Sequence, residues 1–241
     1  MSEVRGVTFD FWDTLVGVDP GRGIRDAQIA AFAAILEEDG QARPGHALAE
    51  AFDANWDAFE VAWARNTGQY TPGDATDFIV GRLGVHLHPV LRDALVATFA
   101  RTGELAALHP SPGSHECLEK LAAAGLKLGI VCDVGLILSP VLRKRLHDFD
   151  LLRFFDGWSF SDETDVFKPR PEAYRVALDE MGVAPEQAAH IGDNPATDVA
   201  GARALGMRAY RYAGIMDRGD GDVTPDAVVD DLRDLPALLG L

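Results

Sequence analysis

From His109-Pro110 to the C-terminus, short apolar runs rich in β-formers alternate with stretches of helical period, and this alternation most limits how the chain can fold. The apolar runs are Leu126 to Val131, Phe155 to Ser159, Ala188 to Ile191, Met207 to Tyr212 and Ala227 to Val229. Between and after them the pattern predicts helices from His115 to Ala124, Ser139 to His147, Pro171 to Met181 and Pro195 to Leu205, with a last one near Leu232 to Leu239. Gly125 is a natural stop for the first of these. Successive strands joined through helices pair in parallel, and their helices cover both faces of the sheet. The expected class is therefore α/β.

Val4 to Phe11 supplies one more buried strand, ending at Asp10. Pro20 and the glycines that follow predict an irregular exit from it rather than a helix. From about Ile24 to Leu105 the texture is helical throughout. Ile29, Phe32 and Leu36 share one face of a first helix, and Leu48, Phe52, Trp56, Phe59 and Trp63 form a stripe on a second. A third carries Phe78, Ile79 and Leu83, and a fourth Leu91, Leu95 and Phe99. This block reads as a helical insert, residues 18–105, within a core made of residues 1–17 and 106–241. The aromatic stripe is most simply the insert's core.

Of the 241 residues 47% are apolar and 25% charged, enough to bury a core, and the formal net charge is −16. So acidic a surface repels polyanions, which argues against a nucleic-acid partner. A small anionic ligand would need a local positive island. No apolar run is long enough to span a bilayer, which predicts no membrane partner. The N-terminus has no apolar leader, and Cys117 and Cys132 are too few for a disulfide framework, so a cytoplasmic protein with reduced thiols is expected. A monomer or a homodimer is expected.

In a parallel sheet ligands sit beyond the C-terminal ends of the strands. Three predicted strands end there in polar residues: Asp10, Cys132-Asp133, and Gly192-Asp193-Asn194. Lys168 stands in a short loop before a helix opened by Pro171. Carboxylates at two strand tips with a lysine suit Mg²⁺ and a phosphoryl group, since Mg²⁺ takes one or two carboxylates together with waters and substrate oxygens.

Four segments in this order, FDFWDTL with Asp10, LGIVCD with Cys132, FKPRPEAY with Lys168, and IGDNPATDVAGARALGM with Asp193 and Asp198, resemble the haloacid dehalogenase superfamily over nearly the whole length. The resemblance is to the subclass with a helical cap after the first motif. It implies a Rossmann-like three-layer core with an inserted cap that closes over small substrates. It further implies hydrolysis of a small anionic, phosphorylated metabolite through a covalent intermediate on Asp10. Mg²⁺ would be held by the Asp10 carboxylate, the Trp12 backbone carbonyl and Asp193, with Asp198 orienting the loop or a metal-bound water. Lys168 would pair with Asp10 and the phosphoryl oxygens, and backbone amides near Cys132 and Asp133 would bind phosphate.

Two positions depart from the family's pattern. Trp12 stands where the phosphatases carry an acid–base Asp, and tryptophan transfers no proton; Asp13 would substitute if its loop turned it inward. Cys132 replaces a Ser or Thr; a small buried strand-end residue describes it better than a nucleophile. An aromatic residue at position 12 also fits a 2-haloacid dehalogenase, whose displaced halide needs no proton, and the two departures together leave room for a catalytically weak binding protein. Arg22 and Arg25 follow the first motif, near the expected hinge to the cap; solvated surface arginines are the default reading, and the functional one has them meet an anionic substrate group. His86 and His88 have the spacing of a metal pair, but no further ligands lie nearby in the sequence, and a turn between helices accounts for them.

Overall fold

The computed structural model of the protein describes residues 3–18, 23–65, 68–105 and 107–241, with all their side chains except those of residues 64 and 105. In chain order the elements are β1 (Gly6–Phe9), β2 (Val16–Val18), α1 (Ile24–Glu38), α2 (Gly45–Arg65), α3 (Pro72–Leu83), α4 (Pro89–Leu105), β3 (Leu108–Pro110), α5 (Ser114–Ala123) and β4 (Lys127–Cys132). They continue with α6 (Ser139–Asp148), β5 (Gly157–Phe160), α7 (Ser161–Thr164), α8 (Pro171–Met181), β6 (Ala188–Gly192), α9 (Ala200–Ala204), β7 (Arg208–Tyr212), β8 (Ala227–Val229) and α10 (Leu235–Leu238).

Six strands form a parallel sheet in the order β5-β4-β1-β6-β7-β8, flanked by helices, so the expected α/β core is observed. Every residue of β1 and all but the first of β4 are buried, the continuous apolar run that a strand covered on both faces requires. The chain builds outward from β1 to β4 and β5, then returns to lay β6, β7 and β8 on the other side. That reversal makes β1 the switch point of the sheet, where a ligand crevice opens beyond the strand ends.

The chain divides into two compact units. Met1–Gly17, Leu108–Asp133 and Leu146–Leu241 make the first; Val18–Ala107 and Val134–Arg145 make the second. Val134–Arg145 had been expected in the core, but its contacts lie with the helices: a Cβ on Gly103 of α4 would come within 2.6 Å of Ile137, and Gln69 Nε2 donates to Gly135 O at 3.1 Å. Within the second unit Phe32, Phe52 and Phe99 meet edge to face across α1, α2 and α4. The α2 stripe is only partly core. Phe52 is buried, whereas Trp56 is 53% exposed and Asn55 is buried in its place, accepting from Tyr70 Oη at 2.9 Å. Eight residues beyond Leu48 an α-helix has turned about 80° past it, which takes Trp56 to the edge of the buried face.

Several boundaries also differ. The exit from β1 is a closed turn, with the amides of Leu15 and Val16 donating to Phe11 O, and it leads into β2, which pairs with β3 in a two-stranded sheet. The helix expected from Pro195 begins as one π-helical turn, Pro195–Val199, before α9. The last helix opens as a 3₁₀ turn over Leu232–Asp234.

Helix α8 lies close on β1, β4 and β5 because each strand offers a glycine to Met181. A Cβ at Gly6 would meet Met181 Cε at 2.7 Å, at Gly129 its Sδ at 2.5 Å, and at Gly157 its Cγ at 2.8 Å. Gly129 and Gly157 are partners in register. Gly129→Ala should therefore overpack the sheet and destabilise the protein by about 1–3 kcal/mol in urea unfolding. Met181→Ala in the same chain should recover part of that loss. Strict additivity of the two substitutions would contradict the packing described.

Candidate active site

The sheet brings the polar strand ends together within the first unit. Asp10 follows β1, and its amide donates to Ile191 O of β6 at 2.9 Å. Lys168 Nζ lies 2.6 Å from Asp10 Oδ1 and 2.7 Å from Asp198 Oδ1, and all three side chains are less than a tenth exposed. The Lys168 loop is fixed from behind: its amide donates to Asp133 Oδ1 at 3.1 Å. Asp133 thus reaches the site through its carboxylate, as a support for Lys168.

Asp198 owes its position to the π-helical turn. Asn194 Oδ1 accepts from Ala196 N at 3.0 Å and caps the turn. Asn194 N in return donates to Asp198 Oδ2 at 2.9 Å. Tyr174 Oη donates to Thr197 O at 2.7 Å and secures the turn from α8. Gly192 must lack a side chain, since a Cβ there would fall on the Asp198 carboxyl group.

His190, on β6 and fully buried, completes the support. Its Nε2 lies 3.1 Å from Asp198 Oδ1 and its Nδ1 2.9 Å from Thr8 Oγ1. Burial lowers the His190 pKa against the pull of Asp198, so the ring is neutral near pH 7. A neutral ring facing a carboxylate carries its proton on Nε2, which leaves Nδ1 to accept from Thr8.

Burial works to raise Asp198, but Lys168 and His190 overcome it and hold the carboxyl group well below the usual range. Burial would likewise lower Lys168, yet Asp10 and Asp198 carry it well above an ordinary lysine. Asp10 is pushed well above the carboxylate range by burial, with Asp198 and Asp193 adding to the effect against Lys168. Burial and the charge of Asp198 raise Asp193 to about 6. The cluster holds more negative charge than its cations neutralise.

The remaining cation is Arg218, from the loop between β7 and β8. Its Nε donates to Asp193 Oδ2 and its Nη2 to Asp13 Oδ2, the latter at 3.1 Å. Asp13, in the left-handed region at φ 54°, therefore turns its carboxylate to Arg218, which answers where the substitute for the acid–base group points. Trp12 is half-buried and packs edge to face on Phe11 at 4.9 Å. With every carboxyl group ionised, Asp10, Asp13, Asp193 and Asp198 face Lys168 and Arg218, four carboxylates against two cations, and this formal excess of two negative charges is what a proton or a cation must offset.

Oxygens of Asp10, Asp193 and Asp198 all lie within 4.8 Å of one another. A hard, all-oxygen donor set with two uncompensated charges fits a hard divalent cation such as Mg²⁺. Among the described residues this is the one cluster of its kind. His86 and His88 are not another: His88 Nδ1 accepts from Leu91 N at 3.3 Å at the start of α4, and its Nε2 meets Asp39 at 3.0 Å.

Cys132 is buried at the end of β4, and burial, then the charge of Asp10, push its thiol well up, so it is no thiolate. Arg25 is spent on Asp53 at 2.6 Å, while Arg22 lies outside the described residues. Sequence reasoning missed two residues. His190 had a signal, a lone histidine inside an apolar strand three residues before Asp193. Arg218 had none, standing in a glycine- and aspartate-rich loop without periodicity.

A family model described as haloacid dehalogenase-like hydrolase matches residues 4–206. A phosphoserine phosphatase of Thermus thermophilus is 32% identical over 195 residues, 74% of this chain and 73% of that protein. A glyceraldehyde 3-phosphate phosphatase of Methanopyrus kandleri is 33% identical over 167 residues, covering 66% and 68%. Among solved structures, a 2-haloacid dehalogenase from Pseudomonas syringae shares the fold with a TM-score of 0.72 at 24% identity, over 98% of both chains.

Asp198→Asn should destabilise the protein by about 3–5 kcal/mol at pH 7, because it leaves Lys168 buried with half its compensation. A carboxyl group whose pKa is lowered on folding contributes fully above its unfolded value, near 4, and loses that contribution as pH falls through the lower folded value. The gap between wild type and D198N in urea unfolding should therefore narrow below about pH 4. A gap that stays constant down to pH 3 would contradict the ionised state given to Asp198.

Proposed function

The chain belongs to the haloacid dehalogenase-like hydrolases, and from that premise we propose that it hydrolyses a small phosphorylated metabolite through Asp10, with Mg²⁺ as cofactor. The observation that carries this reading is the excess negative charge around Asp10, Asp193 and Asp198, which a divalent cation relieves. Two relatives above 30% identity that are named as phosphatases support it. Mg²⁺ would be held by Asp10 and Asp193 with the Trp12 carbonyl, and when bound it would neutralise charge on the transferring group.

Lys168 holds Asp10 Oδ1 and keeps the carboxylate facing the crevice. The Asp10 carboxylate attacks phosphorus, the bond to the leaving oxygen breaks, and the leaving group departs with the electron pair. Water then attacks the phosphorus of the aspartyl-phosphate, releasing phosphate and restoring Asp10. Asp198 and His190 touch neither reactant. They fix Lys168 so that its charge stays beside the developing one.

No proton donor occupies position 12, and Asp13 is engaged with Arg218. A positioned acid contributes about 10²–10⁴-fold, so the leaving group must stabilise its own charge. The enzyme should favour p-nitrophenyl phosphate over an alkyl phosphate by about that factor, and EDTA or Asp10→Asn should abolish turnover. Trp12 also favours a second reading, displacement of halide from a 2-haloacid. EDTA-insensitive chloride release from 2-chloropropionate, without phosphate release from any ester, would establish that reading and reject the first.

A further inference from the structure

The two cations on the acidic cluster differ in their access to water. The Lys168 side chain is 4% exposed and buried between two carboxylates, so it has no route out. The Arg218 side chain is 39% exposed, sits on a loop with no helix or strand, and reaches Asp193 and Asp13 from the rim.

We propose that Arg218 is a built-in competitor for the cation: its guanidinium clamps Asp193 and Asp13 in the metal-free protein and leaves Asp193 when a divalent ion binds. This rests on the Mg²⁺ reading above and adds to it a residue that sets metal affinity. The turn carrying Arg218 has a fixed base. Arg211, 4% exposed on β7, donates from Nη1 to Asp217 Oδ1 at 2.6 Å, and the same oxygen accepts from Gly219 N at 2.9 Å. Gly219, at φ 73°, closes the turn. A rigid base with a long side chain at its tip allows Arg218 to withdraw from Asp193 and stay on Asp13 without unfolding the loop.

The electrostatics give the direction. A guanidinium on Asp193 supplies charge that the divalent ion would otherwise supply, and it repels an ion bound at the same carboxylate. The alternative, Arg218 as a fixed partner that orients Asp193 for the metal, makes the opposite prediction, because supporting hydrogen bonds to a ligand raise affinity.

Isothermal titration with MgCl₂ separates the two. Arg218→Gln should bind Mg²⁺ about tenfold more tightly than wild type, while R218K, which keeps the charge, should stay near wild type. Asp217→Asn loosens the turn without entering the cluster and should tighten binding by a smaller factor, so it decides the matter if R218Q fails to fold. The Arg218 Nε–H, which donates to Asp193 in the metal-free protein, should exchange hydrogen faster once Mg²⁺ is added, while the amides of the fixed turn stay as they were. Weaker or unchanged Mg²⁺ binding in R218Q, with clear binding by wild type, would overturn the competitor role and leave the Mg²⁺ reading intact. Absence of Mg²⁺ binding in both would overturn the two together.

Discussion

Lys168 bonded at once to Asp10 and Asp198 is the contact around which the first unit is organised. Burying a charge is strongly unfavourable unless a partner lies close and the remaining hydrogen-bonding capacity is filled. The surrounding structure supplies those conditions one by one. The Asp133 carboxylate takes the Lys168 amide, His190 and the Asn194 amide occupy the rest of Asp198, and Thr8 satisfies the other ring nitrogen of His190. The π-helical turn and the bare Cα of Gly192 are the backbone form of the same requirement, since together they let a carboxylate approach β6 from a following turn.

This support is rigid where the proposed chemistry calls for preorganisation and looser where an ion has to enter. Two buried carboxylates hold the Lys168 ammonium and Asp133 holds its backbone amide, so its charge does not relax when charge develops nearby. On the opposite flank Asp193 and Asp13 face a half-exposed arginine. In a chain of net charge −16, a bound divalent ion beside Lys168 would offset the negative charge of the cluster and so reduce the repulsion that an anionic substrate meets there. At position 12 stands an indole packed on Phe11, and Asp13, the expected substitute for an acid–base group, pairs its carboxylate with Arg218.

Much of this was legible in the chain. The β/α alternation gave the sheet, and Pro171 to Met181 is a helix over its full expected span because a proline start and a glycine stop bracket an amphipathic run. Asp10 and Asp193 were recognisable as polar ends of apolar runs and Lys168 by the prolines beside it, whereas Asp198 came from the resemblance of the fourth motif alone. The direction of a side chain was not legible. Asp13 turns to Arg218 through one residue of positive φ, and Asn55 displaces Trp56 through a drift of helical phase. The place of Val134–Arg145 depended on tertiary contacts with Gly103 and Gln69, which no local pattern encodes.

The central claim is that the carboxylate held by Lys168 forms the covalent bond. One turnover of p-nitrophenyl phosphate in water enriched in oxygen-18, under excess enzyme, should place the label in the released phosphate, with Asp10 unlabelled because water attacks phosphorus. Rapid acid quench before hydrolysis should find the phosphoryl group on the peptide containing Asp10. A catalytically competent enzyme that never carries phosphate on that peptide, at any quench time, while releasing phosphate at the single-turnover rate, would contradict the account.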